Sequence, residues 1–336
     1  MTWFRISKNQ LLLVMTCMCA LPVALHAGQG ETMLRPGYPS LALSAGAMRA
    51  ELYLPDSEKG YYRATRFDWS GLVAGVRWNG HSFFCDFNTD HDPLNHDDIS
   101  GTAEEFGIDG PQGFQETPVG ESFIKIGIGS LQRPNAEPYN FSKRYRITKT
   151  PPWEISRKPG AVVFRQQFDA GEGWAYAYTK NVQVSTDPPV LAISRKLKNT
   201  GTKSIQTLHY GHNFLKIDDD PAGPDYAIEF PFRPTFGENS RAAECVALQG
   251  NSLVFLKQVP EGRSVWVRIN GHSGAEDSSF KIVNRRSGAS MTIRTDKPLA
   301  RLVFYSSRGV LAPEPFVEVK LAPGQEMDWT TTYEFR

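Results

Sequence analysis

Apolar and polar positions alternate with a period of two along most of this chain. The segments "RAELYL" (49–54), "LVAGVRW" (72–78), "AVVFRQQF" (161–168), "SIQTLHYGHNF" (204–214), "SVWVRI" (264–269) and "DWTTTYEF" (328–335) are clear instances. β-Branched and aromatic residues are frequent in them, as a pleated, half-buried surface requires. Turn signals such as "NTGTK", "NG", "SGAS" and "APGQ" separate one run from the next. No window of about eleven residues keeps a 3.6-residue period, so helix is expected to be scarce. Roughly fifteen short strands at this spacing predict an all-β sandwich or barrel with a sizeable core.

Two segments break the alternation. Residues 86–120 are acidic, lack strand character and are too long for an ordinary connection, which predicts a functional loop rimming a pocket. At the start of the chain, Arg5 and Lys8 precede an apolar run from Leu11 to Leu25, and "LHA" ends on the small residue Ala27. That order predicts a secretory signal peptide cut after Ala27, leaving 28–336 as one domain in the periplasm or beyond. The apolar run is shorter than the roughly 20 residues a membrane span needs. No later segment approaches that length, so no span is expected in the mature chain.

Composition narrows the partners. The 336 residues are 40% hydrophobic and 22% charged, with a formal net charge of +1. Phosphate backbones demand a basic face, and none is visible, so nucleic acid is excluded as the main partner. Removal of the leader leaves Cys85 and Cys245, which either pair in an oxidising compartment or remain buried thiols.

Candidate chemistry lies in three places. In "SIQTLHYGHNF", strand geometry puts Tyr210 and His212 on one face and His209 and Asn213 on the other, so the two histidines point apart. In "YYRATRFDWSG", Arg66, Asp68 and Trp69 offer a planar donor, an acceptor and an aromatic face suited to a sugar; a structural Arg66–Asp68 ion pair is the plainer reading. The acidic segment holds His91, Asp92, His96, Asp97, Asp98, Glu104 and Glu105, every ligand type a divalent ion needs. Its spacing matches no established metal loop, so no cofactor is expected. Glu105, in "EEFGIDGPQGF", is placed on a segment that folds over a ligand.

The run "SRKLKNTGTKSIQTLHYGHNFLKID" resembles the central hairpin of the galactose mutarotase-like superfamily, which includes the aldose 1-epimerases. Leu197, Asn199 and Gly201 match its L-x-N-x-(G/S) strand end, and His212, Asn213 and Phe214 occupy its His-containing motif. The C-terminal "APEPFVEVKLAPGQEMDWTTTYEF" is similar to the closing hairpin, through Pro323, Gly324, Trp329, Tyr333 and Phe335, with Glu314 at the place of the family's Glu. These motifs lie in the last 140 or so residues. The earlier His of true epimerases is absent from "GIDGPQGFQE", and the Asn-Arg sugar clamp is missing unless Arg66 replaces it.

The resemblance implies a β-supersandwich that binds a mono- or oligosaccharide, with His212 protonating the ring oxygen. Hemiacetal opening also needs a base for the anomeric proton, and a carboxylate across the ring from the imidazole suits that role. Glu314, stiffened by Pro313 and Pro315, is the candidate. Tyr210, Asn213, Arg66, Asp68, Trp69 and Glu105 are expected to hold the sugar. A lyase or hydrolase of oligosaccharides on the same scaffold, and a carbohydrate-binding protein without catalysis, are the alternatives.

Overall fold

The structure, a computed structural model, describes residues 33–241 and 243–336. The signal-peptide expectation lies outside the described residues. Among those residues every named strand pairing is antiparallel, and the only helices are two single 3₁₀ turns, Ala243–Cys245 and Ala275–Asp277. No helix there is long and apolar enough to cross a membrane.

A ten-stranded and a six-stranded sheet make the sandwich, with a four-stranded and a three-stranded sheet beside them. The alternation explains why they pack. Val162, Phe164, Leu191 and Ile193 on the large sheet are buried in one cluster with Val265, Val267, Leu302 and Phe304 on the six-stranded sheet. Each fully buried side chain of this size contributes roughly 1.5–3 kcal/mol.

The six-stranded sheet carries the strands that matter for function. In spatial order it runs Thr235–Phe236, Ser264–Asn270, Arg301–Ser307, Leu311–Leu321, Ile205–Asn213, Thr102–Phe106. Two expectations are corrected here. Residues 86–120 are not all loop, because Thr102–Phe106 forms an edge strand on Ile205–Asn213 and all five of its residues are buried. The sequence alone predicts a strand over "FVEVKL" (316–321), but the strand holding Glu314 begins at Leu311, so the two prolines lie inside it rather than before it. Among the described residues Cys85 and Cys245 are free thiols.

Candidate active site

Register alone brings His212 to Glu314. The strands Ile205–Asn213 and Leu311–Leu321 pair from Ile205↔Leu321 to Tyr210↔Phe316. The same register resumes beyond a gap, at the bridge Leu215↔Leu311. Continued through that gap, it sets His212 opposite Glu314, on the face that Tyr210 also occupies.

The gap has a cause. Leu311 N–H donates to the Leu215 carbonyl, so the odd residues of this strand turn their N–H groups toward the His212 strand. Pro313 and Pro315 have none to give. Asn213 fills part of the space: its Nδ2 donates to the Pro313 carbonyl at 2.8 Å.

His212 Nε2 and Glu314 Oε1 are 3.1 Å apart, and both side chains line a cavity of about 360 Å³. That volume is within the range of roughly 300–1,000 Å³ usual for small-molecule sites. Phe214 stacks on the His212 ring at 4.1 Å between centroids, and Phe67 meets it edge-on. Trp266, Tyr305, Phe141 and Phe316 supply further aromatic wall. The expected placement of the two groups on opposite sides of a ring is therefore corrected. They touch, so a ring must meet both from the open side.

Burial sets their protonation. Desolvation pulls the His212 imidazolium pKa well below the usual range, and the nearby Arg66 cation adds to this. Glu314 is pushed up to about 8, first by burial and then by the charges of Glu105 and Asp97, against Arg66 and Arg301. Near neutrality the pair thus holds one proton between two bases and carries no net charge. With that proton on Glu314, its hydroxyl donates to Nε2 and leaves N–H on Nδ1, which is buried and has no partner.

Arg66 forms the cavity floor. Its Nε donates to Glu105 Oε2 at 3.1 Å, its Nη2 to the Tyr210 hydroxyl at 3.1 Å, and its Nη1 pairs with Asp97. Phe67 and Phe141 lie against its guanidinium carbon at 4.4 and 4.3 Å from the ring centroids. Asp97 also meets His96 Nε2 at 3.0 Å. Burial would raise the Asp97 pKa, but His96 and Arg66 outweigh it and hold the carboxyl low.

The remaining sugar-binding expectations divide. Tyr210 and Glu105 sit one layer below the cavity surface. Tyr210 stacks on Phe316 and donates to Glu105 Oε2 at 2.7 Å, while Lys125 Nζ meets Glu105 Oε1 at 2.8 Å. They hold Arg66 rather than face a ligand.

Asp68 is elsewhere: buried, 3.5 Å from Lys180 and bonded to Ser70 and Tyr178, with Arg66 paired to other carboxylates. Trp69 is also buried, donates to the Ala64 carbonyl at 2.9 Å, and borders a separate depression beside Trp153. Both expectations are corrected: the segment from Ala64 to Leu72 is buried at every residue, so Asp68 and Trp69 are both taken up by interior partners.

Asn213 points away from the cavity and accepts from the Tyr333 hydroxyl at 2.8 Å. Replacing it by alanine is expected to cost roughly 2–3 kcal/mol, because two buried hydrogen bonds go and two polar partners stay behind. Denaturant unfolding reads this directly, and a loss under about 0.5 kcal/mol contradicts the role.

Among the described residues no group of three or more His, Cys, Asp or Glu is arranged to hold an ion, and side chains of the acidic segment are engaged in other contacts. His91 stacks on Tyr61 and bonds its carbonyl, and Asp98 accepts from Asn88 and the Asp92 N–H. Sequence reasoning missed Trp266, Tyr305 and Arg301 as cavity residues. Their signal was parity, since they lie on the strand faces opposite the core residues Val265, Val267, Leu302 and Phe304, where Trp266 pairs with Tyr305.

No known family's sequence pattern matches the chain, and no curated protein is similar to it in sequence. Solved structures are similar in fold. A protein from Synechocystis sp. PCC 6803 superposes with a TM-score of 0.57 at 13% identity, covering 90% of this chain and 98% of that one. A galactose mutarotase-like protein from Lactobacillus casei ATCC 334 gives 0.51 at 12% identity, covering 88% and 100%. An aldose epimerase homologue from C. elegans gives 0.51 at 13% identity, covering 89% and 99%. The chain therefore has the galactose mutarotase-like β-sandwich fold.

Proposed function

We propose that this protein is a carbohydrate-active enzyme of the aldose 1-epimerase type, interconverting the anomers of a sugar by acid–base proton transfer. The observation that carries the reading is the His212–Glu314 contact in a cavity with aromatic walls and a fixed guanidinium. Ring opening moves two protons in opposite senses: one leaves the anomeric hydroxyl, one arrives on the ring oxygen as its bond to the anomeric carbon breaks. Rotation and closure reverse both. Two bases that share one proton give one and take one with no change in their own charge, which suits a dry site. In the order implied by the family resemblance, His212 gives and Glu314 takes; burial favours the opposite occupancy before a sugar arrives, and either order conserves the single proton.

Aromatic faces support sugar binding, since their flat apolar surface matches the C–H face of a pyranose. The charged start and short apolar run before Ala27 support export. No metal step is invoked.

Anomer exchange on a panel of free sugars, followed by magnetisation-transfer NMR, tests the proposal. Glu314→Gln and His212→Asn are each expected to lower exchange by about 10²–10⁴-fold, with ligand affinity changed much less. The wild-type rate should fall as pH rises through about 8, where Glu314 loses the shared proton. No exchange with any sugar, or full activity in both variants, refutes it.

A further inference from the structure

One end of the ten-stranded sheet is the strand Glu154–Lys158, which pairs on its inner side with Ala161–Gly171. Among the described residues it is the only strand whose every residue is exposed. Period-two geometry sets Glu154, Ser156 and Lys158 on one face and Ile155 and Arg157 on the other. Both faces are therefore clear of the sandwich, and the strand is held by its ladder with Ala161–Gly171. Ile155 is 37% exposed, an apolar side chain left in water. Among the described residues Glu154, Arg157 and Lys158 have no ion-pair partner.

The turn at Pro159 and Gly160 fixes which backbone groups face outward. Lys158 pairs with Ala161 across it. Pro159 has no N–H, so that pair exchanges its own hydrogen bonds. Alternation then points the N–H and C=O groups of Ser156 and Glu154 inward as well, and those of Ile155 and Arg157 out from the sheet edge. Such an edge is a template for another strand, and short length with charge is the usual protection.

Here the charges match a particular partner. In an antiparallel pairing with a second copy, centred on Ser156, Glu154 stands opposite Lys158 at both ends and Ile155 stands opposite Arg157. The pairs of Ile155 with Arg157 are the ones that exchange backbone hydrogen bonds. Those of Glu154 with Lys158 are the closer kind, which favours an ion pair. The apolar stem of Arg157 covers Ile155. A two-fold centred on Arg157 instead would set two guanidinium groups opposite each other.

We propose that this edge is a self-association surface: a second copy of the chain adds to it strand to strand, antiparallel about Ser156, and joins the two large sheets into one. The strand is short, so the interface is small and the dimer weak. No residue of the cavity wall lies on it, so pairing leaves the His212–Glu314 site open.

Sedimentation equilibrium of the full chain from about 1 µM to 1 mM is the test, and a monomer–dimer equilibrium is expected. Glu154→Lys and Lys158→Glu each set like charges opposite each other and should weaken association about tenfold. An equimolar mixture of these two variants regains both charge pairs in the heterodimer, so it should associate more tightly than either variant alone. The protein carrying both substitutions should associate like the wild type. Arg157→Pro deletes an outward N–H that the ladder with Ala161–Gly171 does not use, and should abolish the dimer while the far-UV circular dichroism stays that of the wild type. A wild-type chain that is monomeric throughout the range overturns the proposal. So does association that the single charge variants leave unchanged, or a mixture no tighter than its components.

Discussion

Replacing Glu104 by alanine is expected to cost roughly 3–5 kcal/mol of folding stability, the usual penalty for stripping one partner from a buried ion pair. Glu104 projects from the edge strand Thr102–Phe106 into the sandwich. There Arg195 grips it with two nitrogens, the Nε bond measuring 2.9 Å, and Lys180 Nζ lies 2.9 Å away. Burial would raise its pKa, but these two cations outweigh it and hold the carboxyl well below the ordinary range. Removing it leaves Arg195 and Lys180 buried, with Asp68 as the remaining nearby acid at 3.5 Å from Lys180.

His209 cannot substitute. Its Nδ1 accepts from Trp329 Nε1 at 3.1 Å, and burial lowers its pKa to about 4, so it is neutral under ordinary conditions. Urea unfolding of Glu104→Ala measures the loss. A change below about 1 kcal/mol would mean that water reaches these cations.

The second large effect is a pH dependence of stability that belongs to Glu314. Its folded pKa, about 8, stands above the ordinary 4.5. A raised acid contributes its full stability below the unfolded value. As pH rises from about 4.5, the unfolded chain ionises while the folded chain stays protonated, so stability falls until about 8 and then levels off. At about 1.4 kcal/mol per pH unit, the fall amounts to as much as roughly 5 kcal/mol. Glu314→Gln keeps the shape, and its amide can donate to His212 as the protonated acid does, so the variant should lose this slope. His212 acts in the opposite sense. Its lowered pKa gives stability that is present above the ordinary imidazole value and lost as pH falls, and Glu314→Gln should retain that limb. Unfolding curves of both proteins from pH 4 to 9 measure the difference. Parallel curves would show that Glu314 ionises as freely in the folded protein as in the unfolded chain.

How much of this was legible in the sequence depended on whether the deciding partner was near in the chain. The all-β class was legible because alternation is local. "LVAGVRW" is a strand from its first residue to its last. The meeting of His212 and Glu314 was legible through two recognisable hairpin segments, although nothing local revealed that they would touch rather than flank a ring.

The edge strand Thr102–Phe106 was not legible. "TAEEF" reads as solvated because its two acids look unpaired, and their partners Arg195, Lys180, Arg66 and Lys125 come from other sheets and loops. The period of two then does the rest, sending Glu104 into the sandwich and Glu105 under Arg66. Asp68 and Trp69 failed for a related reason: polar and aromatic side chains near a strand start suit a sugar or a packed interior equally well, and only the position of Lys180 and Ala64 decides.

The two prolines beside Glu314 have a mechanical consequence. A sheet normally resists being prised open, because each ladder bond that parts leaves a donor stranded. Around Glu314 those rungs were never built, so the His212 and Glu314 backbones can spread slightly at this point, like a zip with teeth missing, while the rungs above and below stay closed. A guest entering from the open side can thus ease the imidazole from the carboxyl without unpicking the fabric. Restoring an N–H at position 313 or 315 would stitch the seam and stiffen it.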